Sequence, residues 1–175
     1  MAITTYSIQK TADLAPLQAI LDELVGEKSR KIVQGYADSF YLAFGAEIPL
    51  KVLKKKFPPE FTSAWLIATY GTTWRIDVPD GEPIQYETDV RRKEAYFEQF
   101  ADVKVTEATV LYPSLGLRLS FENGFQFWLL PVPEDDEYDL PYWKVTTPDG
   151  IWFKVGPKAQ WSREDDTDDS ITSAP

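Results

Sequence analysis

The chain has 175 residues, 14% of them aromatic, and a single domain of this size buries roughly 70% of its extended-chain surface. It contains no cysteine and no histidine, which removes disulfides, thiolate chemistry, structural zinc sites and the commonest general base. A formal charge of −10 and a pI near 4.5 argue against a phosphate backbone as partner and suit a basic protein or a cation better.

Residues 1–10 read as an arm, with an edge strand through Ile3 to Ile8, and Met1 to Gln9 lack the basic start and apolar run of a signal peptide. Thr11 or Asp13 can cap a helix to about Val25, with Pro16 in its first turn. Leu14, Leu17, Leu21 and Leu24 form its apolar stripe, and Gly26 ends it. Strands are expected at about 30–37, 39–45 and 47–53, the second marked by alternating Phe40, Leu42 and Phe44. Residues 54–62 read as a loop. Trp65 to Trp74 reads as a hairpin about Gly71-Thr72, with Trp65, Ile67, Thr69, Trp74, Ile76 and Val78 on one face and Arg75 and Asp77 on the other.

The turn at 78–83 marks the boundary between two halves. A second helix follows from about Thr88 to Ala101, with Val90, Tyr96, Phe97 and Phe100 as its apolar face. Strands are expected at about 103–112, 114–122, 125–131, 142–148 and 151–156. Asn123-Gly124 and Asp149-Gly150 supply hairpin turns, because both pairs tolerate the positive φ that tight turns demand. Val155-Gly156-Pro157 ends a strand. Residues 163–175 are acidic and poor in apolar groups, so they read as a disordered tail behind one globular domain over 1–162.

The two halves echo each other. Val33, Phe40, Leu42 and Phe44 precede Val110, Leu117, Leu119 and Phe121 by 77 positions; Trp65, Trp74 and Pro79 precede Trp143, Trp152 and Pro157 by 78. Such self-similarity points to an α+β protein made by internal duplication of a helix plus antiparallel β-meander unit. The repeats span about 11–79 and 84–161, sharing one aromatic-rich core into which the four echoed tryptophans pack.

Two loops take equivalent places in this scheme yet differ in charge. Residues 51–62 carry Lys51, Lys54, Lys55 and Lys56 against Glu60, while residues 131–141 carry Glu134, Asp135, Asp136, Glu137 and Asp139 and no cation. Carboxylates this close repel one another, which a basic partner relieves; solubility alone explains the same charge. With Tyr138 and Tyr142 as aromatic anchors, the loop is the expected partner-binding site. Calcium is weaker, because Glu134 to Asp139 lacks the spacing of a helix–loop–helix site. No phosphate-binding loop or nucleophile elbow is present, so neither catalytic residues nor a cofactor are expected.

The small, acidic, cysteine-free, β-rich character resembles that of bacterial immunity-type and inhibitor proteins, in composition and not in motif. The expectation is therefore a cytoplasmic, non-enzymatic binder of a basic protein, away from nucleic acid and membrane. The alternatives are a small-molecule binder or histidine-free carboxylate enzyme between the halves, where Arg75 or Arg118 would converge with carboxylates, and a homo-oligomer joined through its oppositely charged loops.

Overall fold

Period-two alternation of apolar and polar residues makes most of this chain extended, and the computed structural model describes residues 2–35, 39–48, 63–132, 137 and 139–165. Its elements in order are β1 (Ala2–Ser7), α1 (Ala15–Asp22), β2 (Ser29–Gln34), β3 (Phe40–Glu47), β4 (Ser63–Thr69), β5 (Trp74–Asp77) and β6 (Ile84–Gln85). Then come α2 (Val90–Phe97), β7 (Val105–Val110), β8 (Leu117–Phe121), β9 (Gln126–Leu129), β10 (Trp143–Thr146), β11 (Ile151–Val155) and β12 (Gln160–Asp165). The fold is mixed α+β, with antiparallel sheets and two short helices.

Seven strands form one sheet in the order β1-β12-β11-β10-β4-β3-β2, and five form the other in the order β6-β5-β9-β8-β7. Inward side chains from both meet in one core: Phe40 of the larger sheet lies 4.6 Å from Trp74 and 5.0 Å from Phe127 of the smaller, measured between ring centroids. Leu14, Leu17, Leu21 and Leu24 are buried as their spacing requires. The helix they define lies along β7, the edge of the smaller sheet. There the Gln18 amide donates to the Ala108 carbonyl at 2.7 Å and accepts from the Val110 N–H at 3.1 Å, covering an edge that would otherwise be open.

Two crossovers knit the sheets together. The Trp65 to Trp74 stretch is not a hairpin. β4 is central in the larger sheet, paired with β3 and β10, whereas β5 lies in the smaller sheet beside β9 and β6. Trp65, Ile67, Trp74 and Ile76 still share the core, reaching it from opposite layers. The chain crosses back between β9 and β10. The Trp143 to Trp152 stretch is the expected hairpin, turned at Gly150 with φ +82°. Its parity points Trp143 into the core and Trp152 out of it, so Trp152 is no core residue.

Other expectations shift as well. The turn after β5 leads into β6, which pairs back onto β5 through Arg75 and Ile76. Val90 is 61% exposed, because α2 starts at the Asp89 cap and turns that residue outward; Phe100 closes the core instead. Arg163, Glu164 and Asp165, expected in the tail, belong to β12 and pair with β1 and β11, while residues 166–175 lie outside the described residues. The strand expected over 47–53 lies outside the described residues beyond residue 48.

The two sheets also meet at a corner with reciprocal hydrogen bonding. The Gly26 N–H donates to the Val105 carbonyl and the Asp102 N–H to the Ser29 carbonyl, both at 2.8 Å. Val105 donates to Glu27 at 2.9 Å, and Ser29 donates to Val103 at 2.8 Å. Gly45 donates to Lys28 at 2.9 Å, as Glu122 does to Lys104 at 3.0 Å. One irregularity falls between Ser29 and Lys31 in the β2–β3 register, and another between Val105 and Glu107 in β7–β8.

Trp74 and Trp143 begin the two crossing strands, and their indoles differ in one respect. The Trp143 Nε1–H donates to the Leu115 carbonyl at 2.8 Å, whereas Trp74 Nε1 is buried with no hydrogen-bond partner among the described residues. Trp143→Phe should therefore cost about 1–3 kcal/mol more stability than Trp74→Phe, measured from paired denaturant curves. Equal losses would show that the Trp143 bond contributes nothing.

Candidate functional site

The acidic loop joins β9 to β10, whereas residues 51–62 fall between β3 and β4, so the two loops do not occupy equivalent places in the strand order. Lys51, Lys54, Lys55, Lys56, Glu134, Asp135, Asp136 and Tyr138 lie outside the described residues. Glu137 and Asp139 are exposed. Asp139 has φ +53°, and its carboxylate lies 2.7 Å from Lys158 Nζ. Both partners of that pair are well solvated, so it holds little energy.

Tyr142 is only 7% exposed, which corrects its expected role as a surface contact. Its ring covers Gly156, where a side chain would drive into the ring, and its backbone N–H donates to the Val155 carbonyl at 2.8 Å. The Thr72 hydroxyl donates to the Tyr142 carbonyl at 2.8 Å. Tyr142 therefore pins the end of the loop. Val132 and Leu140, on either side of the carboxylate run, are 41% and 47% exposed. Beside the loop, Lys158 and Ala159 hold φ of +60° and +50°, a left-handed backbone that is costly outside glycine. A cleft of about 160 Å³ opens there between Thr5, Asp139, Lys158 and Trp161.

A second cluster occupies the outer face of the larger sheet, on the hairpin of β10 and β11. Alternation turns Lys144 away from the core that receives Trp143 and Val145. Its Nζ sits 4.2 Å from the centroid of the Trp152 ring and 5.5 Å from that of Tyr70. Lys154 is directly opposite Lys144 in the register, and its Nζ pairs with Glu164 at 2.6 Å. Burial, and then the Lys154 ammonium, lower the Lys144 pKa to about 8, while Glu164 opposes the shift. This cluster was readable in principle: Lys144, Trp152 and Lys154 share one parity across the Asp149-Gly150 turn.

Arg75 and Arg118 do come together. On the outer face of the smaller sheet they flank Trp128 in one cross-strand row, at 5.5 and 5.6 Å from its ring centroid. Asp77 holds Arg75 at 2.9 Å and accepts from the Trp128 Nε1–H at 2.8 Å, and Glu107 holds Arg118. A Thr109 hydrogen bond, with help from Arg118, lowers the Glu107 pKa against a modest desolvation effect. Where the sheets meet at the corner, a cavity of about 340 Å³ is lined by Glu27, Lys28, Arg30, Gly45, Asp102 and Lys104. Asp102 raises the Lys28 pKa by accepting a hydrogen bond from it at 2.9 Å.

Among the described residues no three acidic side chains gather as a metal site, and no helix is long and apolar enough to cross a membrane. No protein-family model matches the chain, no curated protein is similar to it, and no solved structure matches it.

The buried Lys144 amine sets a pH signature. Its folded pKa lies below the ordinary 10.5, so the cost of charging it is fully present below about pH 8 and fades as pH rises toward the ordinary value. Relative to Lys144→Met, the wild-type chain should gain stability from pH 8 to pH 10, read from chemical unfolding at each pH. A difference that stays flat with pH would mean that Lys144 titrates like an exposed lysine.

Proposed function

We propose that this chain is a non-enzymatic acidic binding protein, of immunity or inhibitor type, that engages a basic partner protein through the loop at 131–141. The observation that carries this reading is the contrast between the loop's base and its rim. Tyr142 over Gly156 fixes the base, while exposed Val132 and Leu140 bracket a run of five carboxylates. Apolar groups beside charge suit a docking surface: the charge speeds encounter, and the apolar contacts hold the complex. Glu134, Asp135, Asp136, Glu137 and Asp139 supply the charge, and Tyr138 an aromatic contact. The lack of cysteine agrees with a cytoplasmic setting without disulfides or thiolate chemistry.

With it goes the reading that the chain is a duplicated unit whose halves have exchanged strands. Support comes from the reciprocal bonds at the corner: Gly26 and Ser29 stand to Val105 and Asp102 as donor and acceptor in turn, each equivalent pair 76 positions apart. Matching irregularities in β2–β3 and β7–β8 add to this. On this scheme Trp74 corresponds to Trp143, in place of the Trp65–Trp143 and Trp74–Trp152 matches that spacing alone suggests, and the acidic loop corresponds to the short crossing between β4 and β5. The loop is then an elaboration of one half, as expected of a feature added for binding. The rival reading, a ligand site between the halves, fits less well, since Phe40, Trp74 and Phe127 fill the space between the sheets.

Association is the quantity to test. The full chain is immobilised beside a triple variant, Asp135→Lys, Asp136→Lys and Glu137→Lys, and both are exposed to native lysate at low salt. Basic proteins held by the wild-type chain should elute at about 0.5 M salt, where the screening length falls to a few ångströms. Against a partner so isolated, the variant should associate about tenfold more slowly or worse. A partner that binds the triple variant as fast as the wild-type chain removes the loop from the proposal.

A further inference from the structure

We propose that β1 is a docking edge whose occupant is β1 of a second copy of this chain, joining two seven-stranded sheets into one. This stands apart from the loop and does not depend on it. A sheet edge presents unpaired N–H and C=O groups, and folded chains guard such edges with charge, proline, bulges, shortness or a covering element. Three of the four edges here are guarded. β2 carries Arg30 and Lys31 with a register irregularity beside them. β6 has only two residues, directly after Pro83, and the Gln85 N–H donates to the Thr88 hydroxyl at 3.0 Å. β7 is covered by α1, whose Gln18 side chain bonds the Ala108 carbonyl and the Val110 N–H. β1 has none of these devices. It runs Ala-Ile-Thr-Thr-Tyr-Ser without charge, proline or any break in its pairing with β12, its only strand partner among the described residues. Residues Ile3 to Ser7 are all exposed, Ile3 by 59%.

The hydrogen bonds at the end of the strand show which backbone groups point outward. The Ile8 N–H donates to the Ala159 carbonyl at 2.9 Å, and the Gly156 N–H to the Gln160 carbonyl at 2.7 Å. Gln160 therefore turns its backbone groups toward β11, while Trp161 and Arg163 turn theirs toward Tyr6 and Thr4 of β1. The same alternation leaves Ile3, Thr5 and Ser7 with N–H and C=O directed at the open edge. An antiparallel copy turned about Thr5 sets Thr5 against Thr5 and Ile3 against Ser7, each as a hydrogen-bonded pair. Their side chains share one face, so two β-branched threonines meet and the exposed Ile3 gains a neighbour. Each contact then occurs twice, as a two-fold interface requires. Charge favours a second copy over a basic partner segment. β1 has no carboxylate to attract a cation. In a chain of net charge −10, a strand free of charge is also where two copies approach with the least repulsion.

The mass in solution tests this. One strand pair is at the small end of specific interfaces, so a Kd of about 100 µM is the scale to probe. In sedimentation equilibrium of the full chain from about 10 µM to about 1 mM, the mass should rise from 20.0 kDa toward twice that value. Thr5→Pro removes an outward N–H that β12 does not use. It should hold the mass at 20.0 kDa throughout, with the circular dichroism and unfolding midpoint of the wild-type chain. Thr5→Lys and Thr5→Glu keep the backbone intact and decide the matter independently of the proline. Each alone should be monomeric, because like charges would face each other across the axis, and an equimolar mixture should recover pairing. Raising salt from about 20 mM to about 0.3 M should tighten the wild-type dimer, since screening relieves repulsion between acidic copies. Association through the acidic loop weakens over that range, so the two proposals fail separately. A wild-type mass fixed at 20.0 kDa up to about 1 mM overturns the proposal and leaves the edge to a strand of another protein. A dimer that survives Thr5→Pro unchanged, or a Lys and Glu mixture that stays monomeric, overturns it as well.

Discussion

The pairing of β4 with β10 is the constraint on which this architecture rests. β4 is buried along most of its length on both faces, and a buried strand must have its backbone groups bonded on both edges. β3 takes one edge. The other cannot be met by β5, the strand next in sequence, because Trp74 and Ile76 are needed in the opposite layer, against Phe40. β10 fills it instead, with Ile67 across from Val145. Once that pairing is made, the chain must cross between layers after β4 and again before β10. Those crossings tie the two sheets together.

The sequence was a good guide wherever a local rule decides the outcome. The leucine stripe of α1, the Asn123-Gly124 turn and the Asp149-Gly150 turn all follow from periodicity or from permitted φ, and each is present. It misled where the partner of a strand is chosen by the whole fold. Trp65 and Trp74 bury their indoles equally well in a hairpin and in a crossover, so alternation cannot separate the two. Arg163 to Asp165 looked too charged to be ordered. Strand pairing on both sides, together with the Arg163–Asp165 contact at 3.0 Å and the Lys154–Glu164 pair, outweighs that composition.

Of the candidate loop, the charge was legible and the geometry was not. Tyr142 was read as an interfacial aromatic because tyrosine favours interfaces. Its neighbour in space, Gly156, is fourteen residues away, and only the β10–β11 hairpin brings the ring over it. The Lys144 cluster shows the opposite case. Parity across one turn places Lys144, Lys154 and Trp152 together, yet nothing in the sequence says that this outer face is shielded from solvent. Burial is what turns an ordinary cross-strand pair of lysines into an amine with altered basicity.

Charge is distributed unevenly between scaffold and loop. Three cations of the sheets are held in pairs: Arg75 by Asp77 and Trp128, Arg118 by Glu107 and Trp128, Lys154 by Glu164. Each pair is nearly neutral seen from a distance, so these side chains contribute little to the long-range field. The chain has 28 acidic against 18 basic side chains, and residues 131–141 hold five carboxylates with no cation. A field concentrated in one loop steers an approaching basic surface more effectively than the same charge spread evenly. Residues 131–141 thus carry half of the net charge of −10, which is the physical ground for proposing them as the docking segment.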